Sequence, residues 1–172
     1  MPFNIVRNDL TNMHADAIVN TANPQPTIGS GADSEVHRKA GRNLLRARKK
    51  IGDIPYGDAV ITPAFDLNAK YVIHTPGPVW HGGSRGEAEL LRSCYRSCLA
   101  LAAENGCKTV DFPSISTGVY HFPLEKASVI AIDTIAAFLA EHKEIERVRM
   151  VCFDERTAGF YEKSLADCGV ET

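Results

Sequence analysis

The sequence predicts an α/β protein whose sheet is covered by helices on both faces. Strand-like and helix-like segments alternate along the chain, as in βαβ units. Two apolar runs end in polar, glycine-bearing loops that open into helix-like stretches: Asn20-Thr21-Ala22-Asn23-Pro24 with Gly29-Ser30-Gly31-Ala32-Asp33, and Ser114-Ile115-Ser116-Thr117-Gly118-Val119-Tyr120-His121-Phe122-Pro123. With 172 residues, 44% hydrophobic and 23% charged, the chain has the length and balance of one globular domain, read as 1–172.

Residues 3–7 alternate apolar and polar, as an edge strand does. Ala17-Ile18-Val19 is a short buried strand leading into the first loop. Residues 34–50 are helical in composition, with a break near Gly41. Residues 58–62 and 70–74 read as strands joined by a turn at Asp66-Leu67-Asn68. Residues 86–105 form a long helix, because Leu90, Leu91, Tyr95, Cys98, Leu99 and Ala102 recur at helical spacing and Asn105-Gly106 ends it. Residues 109–112 are a strand feeding the second loop, and Pro123 suits the first turn of a helix running to about residue 142. A β-branched strand follows at 147–153, then a closing helix over 155–168. Internal repeats, low-complexity tracts and linkers are absent from the sequence.

A net charge of −2 provides no general basic field for nucleic acid. The local basic run from Arg42 to Lys50, with Arg46, Arg48 and Lys49 between, reads as a solvated helix face. The apolar stretch 129–140 is interrupted by Asp133 and Thr134 and is too short to cross a membrane. Met1-Pro2-Phe3-Asn4 has neither the charged nor the apolar region of a secretory signal. Five cysteines without a C-x-x-C pair suit reduced thiols in a cytoplasmic protein, with Cys94 and Cys98 on one helix face.

In open α/β sheets ligands bind beyond the carboxyl ends of the strands, where both glycine loops lie. Glycines let a ligand approach the backbone amides, and two helix N-termini suit two phosphates. The segment Gly29 to Ser34 lacks the third glycine of a dinucleotide fingerprint and the Lys-Ser/Thr of a Walker loop. It also reads as a tight turn into a helix, with Ser30 and Asp33 spaced as a capping box. Asp33 is either an acid favoured by the helix dipole or a carboxylate placed to orient or deprotonate a water. Asn20 and Asn23 are turn residues or amides offered to a sugar hydroxyl. Tyr120 and Phe122 belong to the core or stack on a ring. His14, His81 and His142 read as surface groups, His74 as a satisfied core group, and His37 shares a helix face with Asp33. No histidine or cysteine cluster has metal-ligand spacing, so neither metal nor cofactor is expected.

Several motifs, in order, resemble the macrodomain family: Asn8-Asp9-Leu10-Thr11, the run from Asp16 to Pro24, Gly31-Ala32-Asp33 with His37 to Gly41, His74 to Trp80, Ile115 to Tyr120, and Cys152 to Arg156. The likeness spans nearly the whole chain and is greatest to bacterial stand-alone O-acetyl-ADP-ribose deacetylases, relatives of mono-ADP-ribosyl hydrolases. It implies a three-layer α/β/α sandwich with a mixed, about six-stranded sheet and an ADP-ribose cleft across its top. By resemblance, Asp9 accepts from the adenine amino group and Leu10 lines that pocket. The amides of Ser116, Thr117, Gly118, Val119 and Tyr120 wrap the pyrophosphate, with Gly31 and Ala32 opposite. Asn23 holds the distal ribose, Asp33 is the proton acceptor that positions water with it, and His37 supports Asp33. A neighbouring phosphate should favour the proton-holding form of Asp33, passing part of the base's work to the substrate.

The chain departs from the family at Ile28-Gly29-Ser30-Gly31-Ala32, where relatives often carry four glycines, and at Thr21 and Pro26. Ser30 there would add a hydrogen bond to phosphate or water. His121-Phe122-Pro123 replaces a Gly-aromatic-Pro run, so the imidazole would narrow the cleft or donate to the distal ribose. The expected function is a hydrolase acting on O-acetyl-ADP-ribose or on mono-ADP-ribosylated acidic side chains. A non-catalytic ADP-ribose reader is the alternative, with an RNA or poly-ADP-ribose binder behind it. The expected partners are ADP-ribose, its esters and mono-ADP-ribosylated proteins, with neither membrane nor nucleic acid.

Overall fold

A computed structural model describes residues 1–168, so the last four residues of the predicted 1–172 domain lie outside it. The strands are β1 (Phe3–Arg7), β2 (Ala15–Thr21), β3 (Val60–Pro63), β4 (Ala69–Thr75), β5 (Thr109–Phe112) and β6 (Arg147–Cys152). The helices are α1 (Ala32–Ala40), α2 (Asn43–Ile51), α3 (Glu87–Glu104), α4 (Leu124–Glu141) and α5 (Glu155–Asp167). A short 3-10 turn, Leu10–Asn12, was not expected. Pro123 precedes α4 rather than occupying its first turn. Gly41, at φ 89°, separates α1 from α2 where the sequence breaks.

One sheet runs in the order β1-β6-β5-β2-β4-β3, with every pairing parallel except the antiparallel β3–β4 edge. It is the mixed six-stranded sheet expected. Strand alternation divides the core between its faces. Ala17, Val19, Ile73, Val110 and Phe112 pack with Leu91, Tyr95 and Leu99 of α3, Ala131 and Ile135 of α4, and Tyr161 of α5. Val72 packs instead with Val36 and Ala40 of α1 and Leu44 of α2, while Ile18 joins Leu10, Met13 and Val151. Both faces are therefore covered, and each fully buried Leu, Ile or Phe contributes about 1.5–3 kcal/mol.

This topology locates the site. β2 and β5 are neighbours, but the chain after β2 crosses to the β4 side and the chain after β5 to the β6 side. The loops leaving their carboxyl ends diverge, opening a crevice at the switch point of the sheet. All five cysteines are free, and burial pushes the thiols of Cys94 to about 11 and Cys152 to about 12, so these two are inert core groups. Among the described residues, no helix is long and apolar enough to cross a membrane.

Candidate active site

Two adjoining cavities fill the crevice. The larger, about 620 Å³, runs from Asp9, Leu10 and Thr11 past Gly31 and Ala32 to Thr117, Gly118 and Phe153. The smaller, about 260 Å³, is lined by Asn23, Gly29, Ser30, Asp33, Ser116, Val119 and Tyr120. They share Gly31, Ala32, Pro113, Ser114 and Gly118, so the two glycine loops form the waist between them.

The second loop is pinned from below. The Ser114 hydroxyl hydrogen-bonds with Tyr161 OH at 2.7 Å and with Thr117 Oγ1 at 2.7 Å, and the Ile115 amide donates to Tyr95 OH at 3.3 Å. The Phe122 amide donates to Ser116 O, the His121 amide to Gly118 O, and the Trp80 amide to Tyr120 O. No group of the described residues takes the amide hydrogens of Ser116, Thr117, Gly118, Val119 or Tyr120. Unclaimed amides on one turn are a nest for an anion. Ser116 holds φ 66° within it, and its buried hydroxyl has no partner among the described residues.

The first loop meets this nest with the open end of α1. Gly31, at φ 68°, precedes the helix, and no side chain of the described residues caps it. The Ser30–Asp33 capping box does not form, because the Asp33 carboxylate turns inward and has other donors. Its Oδ1 accepts from Asn20 Nδ2 at 2.7 Å, and its Oδ2 from the Gly29 amide at 2.7 Å. His37 Nε2 stands 3.3 Å from Oδ1, not aligned for a hydrogen bond. Burial alone would raise the acid's pKa, but His37, Asn20 and the Gly29 amide outweigh it and hold the group below the ordinary carboxylate range. In the free protein Asp33 is thus a carboxylate. A Cβ on Gly29 would lie 3.2 Å from both amide atoms of Asn23 and 3.3 Å from Asp33 Oδ2, so the Asn23 amide and the Asp33 carboxylate flank this glycine. Asn23 Nδ2 donates to Thr27 Oγ1 at 3.1 Å.

At the far end, Asp9 Oδ1 accepts from the Thr11 amide at 2.9 Å and from Thr11 Oγ1 at 2.6 Å, which caps the 3-10 turn. The Thr11 hydroxyl outweighs burial and, with the Thr11 amide and Lys39, holds the Asp9 carboxyl low. Lys39 Nζ lies 3.9 Å from its other oxygen.

Four sequence expectations change. Asn20 is fully buried, with its amide nitrogen on Asp33 and His74 and its amide oxygen without a partner among the described residues, so it supports the site from beneath and does not reach a sugar in the cleft. Phe122 is a core residue, 4.8 Å from Trp80 between ring centroids, and does not stack on a ligand. His121 is exposed at φ 60° and lies outside the lining of both cavities, so it neither narrows the cleft nor donates into it. Arg48, assigned to a solvated face, is 1% exposed and donates to Asn23 O at 3.4 Å. Sequence reasoning also missed Tyr95 and Tyr161 as the props of the second loop. Phe153, 81% exposed on the large cavity, follows β6 directly, a position that the carboxyl-end rule would have flagged.

Residues 19–131 match the Macro domain family. The chain belongs to the macro domain family. It is 50% identical to an O-acetyl-ADP-ribose deacetylase of Enterobacter cloacae, with 97% of this chain and 95% of that protein covered. It is 49% identical to a macro domain-containing protein of Chlorobaculum tepidum, over 96% and 99% of the two chains. Among solved macrodomains, that of Oceanobacillus iheyensis with ADP superposes with a TM-score of 0.92 at 37% identity, covering 95% of this chain and 90% of that one. The Trypanosoma brucei macrodomain in complex with ADP-ribose gives 0.90 at 38% identity, covering 95% and 69%. The three-layer macrodomain fold expected from the sequence is the fold found.

Proposed function

We propose that this macrodomain, acting as one unit over 1–172, binds ADP-ribose and hydrolyses its esters. It would remove the acetyl group from O-acetyl-ADP-ribose and ADP-ribose from mono-ADP-ribosylated acidic side chains. The observation that supports it best is the Asn23–Asp33 pair flanking Gly29 at one end of a cleft whose waist is an open amide nest.

The adenine would lie in the large cavity between Leu10 and Phe153, its amino group directed to Asp9. The pyrophosphate would sit on the amides of residues 116–120, facing the uncapped start of α1. This leaves the distal ribose at Asn23, Asp33 and Tyr120. Asn23 would fix the ribose hydroxyls and, with Asp33, hold a water at the ester carbonyl. A carboxylate held below the ordinary range orients a water well but removes its proton weakly, which favours proton transfer shared with the substrate's phosphate. The amides of the waist would bear part of the negative charge that develops on the ester. Burial, with Tyr56 and the Asp33 carboxylate nearby, pushes the Tyr120 phenol up, so it stays a hydrogen-bond donor at neutral pH.

The test is turnover of O-acetyl-ADP-ribose and of a glutamate-linked ADP-ribosyl protein by the natural chain and by Asp33→Ala, with ADP-ribose affinity from calorimetry. The variant should bind ADP-ribose and lose on the order of a hundred-fold or more in kcat, the usual contribution of a positioned acid or base. Equal rates in the two proteins would reject the catalytic assignment, whereas binding without turnover of either ester would leave a reader of ADP-ribose.

A further inference from the structure

The Asp33 carboxylate rests on a buried chain of side chains that never reaches the cleft. Asn20 Nδ2 donates one hydrogen to Asp33 Oδ1 at 2.7 Å and has its other directed at His74 Nδ1, 3.2 Å away. His74 Nε2 lies 3.0 Å from Thr62 Oγ1, and the Thr62 hydroxyl donates to Pro63 O at 3.0 Å. With the Thr62 hydroxyl hydrogen on that carbonyl and the Asn20 amide nitrogen, a donor, facing Nδ1, the Thr62 oxygen accepts from His74 Nε2–H. His74 is therefore the Nε2-protonated tautomer, and its Nδ1 offers a lone pair to Asn20. Burial, with Arg48 and His37 nearby, lowers the His74 pKa to about 3, so the ring remains neutral at working pH. Asn20, His74 and Thr62 are each 3% exposed or less.

We propose that His74 is a positioning residue for Asp33: by accepting from Asn20, it fixes the amide with its donor side toward Asp33 and keeps that carboxylate a pure hydrogen-bond acceptor. The physical argument concerns an amide flip. A flipped Asn20 would place its carbonyl oxygen against the lone pair of His74 Nδ1, a repulsive contact in a site of low polarity. The flipped carbonyl could also accept a hydrogen from a protonated Asp33. In this tautomer His74 thus disfavours the state in which Asp33 holds a proton, and changing tautomer would take the Thr62 hydroxyl from Pro63 O. The inference rests on the proposed hydrolytic reading for its rate readout, but not for its titration readout.

The experiment compares the natural chain with His74→Leu, His74→Asn and Thr62→Val. The other groups that act on Asp33 are His37 on its own helix, Arg48 on α2 and Tyr120 on the second loop, and all are kept in every variant. The Asp33 pKa is read directly by carbon-detected NMR of the carboxyl, and the acid limb of kcat against pH is read alongside. His74→Leu should raise both by about one pH unit. It should also lower kcat ten- to a hundred-fold, on the order expected of a misplaced catalytic group. ADP-ribose affinity should stay within about two-fold, since neither Asn20, His74 nor Thr62 lines either cavity. His74→Asn keeps an acceptor, its Oδ1, near the place of Nδ1, and should restore the limb and most of the rate. Thr62→Val should move the pKa in the same direction by less, and it decides the matter if His74→Leu does not fold. An unmoved Asp33 pKa in the folded His74→Leu protein, or in Thr62→Val if that alone folds, would overturn the proposal. So would His74→Asn as impaired as His74→Leu. If the natural chain turns over neither ester, the hydrolytic reading fails, and the NMR titration still decides the role of His74.

Discussion

Gly77→Ala should damage stability and ligand affinity together, because residue 77 lies directly behind the amide nest. A Cβ built there would stand 2.5 Å from Ile115 Cγ2 and closer still to Ser116 Oγ, whereas ordinary contact begins at 3.4 Å. Gly77 does not hold a left-handed φ, so the cost considered is the collision. Neither neighbour can retreat freely. Ile115 is fully buried with its amide on Tyr95 OH, and Ser116 is held at φ 66° with its carbonyl on the Phe122 amide. Something must move by about 1 Å, an overpacking that costs about 1–3 kcal/mol. For a chain of this length that lowers Tm by roughly 3–10 °C. The displaced part is the phosphate nest, so ADP-ribose affinity should fall about ten- to a hundred-fold, the sensitivity typical of misplaced site groups. Thermal unfolding and calorimetry measure the two effects, with Gly118→Ala as the stability control, since a Cβ there meets nothing within 4 Å. A Gly77→Ala protein with natural Tm and natural Kd would refute the argument that this close approach shapes the nest.

Two further outcomes follow from backbone strain and buried charge. His121→Gly relieves a left-handed φ of 60° at an exposed turn. After the entropic cost of glycine it should raise stability by about 0.5–1 kcal/mol while turnover stays within about two-fold; a ten-fold loss of rate would return His121 to the site. Glu87 bears on the acid side of the stability profile. Burial raises its pKa, but the amides of His81, Gly83 and Arg85 outweigh this and hold the carboxyl at about 2. A depressed acid stabilises the fold above its unfolded value, 4.5, and that stability is lost as pH falls from there through about 2. Urea unfolding between pH 2 and 6 should therefore show a shallower acid loss in Glu87→Gln, and identical pH dependence would refute the capping role.

The elements were legible because each rests on a local signal. The stripe through Leu91, Tyr95, Cys98, Leu99 and Ala102 is buried as its spacing requires, and positive-φ glycines 41 and 106 end helices where the pattern stops. The site was legible as two loops, but the direction of single side chains within it was not. Asn20 and Asn23 look alike as loop asparagines. Yet Asn20 is still on β2 and shares a sheet face with Ile18, which turns it under α1 rather than into the cleft, while Asn23 lies beyond the strand. Phe122 sits in a glycine loop, but its amide closes that loop onto Ser116, which commits its ring to Trp80 and the core.

Arg48 shows most clearly how tertiary context overrides composition. In a run of lysines and arginines it reads as solvated, but it lies four residues after fully buried Leu44 and so shares the inward face of α2. Its Nε and Nη1 find no partner among the described residues, and it feels the charges of Asp33 and Asp53. Burying an unpaired guanidinium is costly, so its place is not explained by the stability of α2. The hydrogen bond of its guanidinium to Asn23 O holds the strand-to-helix loop from behind, while His74 holds Asp33 from beneath through Asn20. The two residues proposed for chemistry are thus fixed from different layers by groups distant from them in sequence. No local pattern encodes such an arrangement, which exists only once α2, β2 and β4 have packed together.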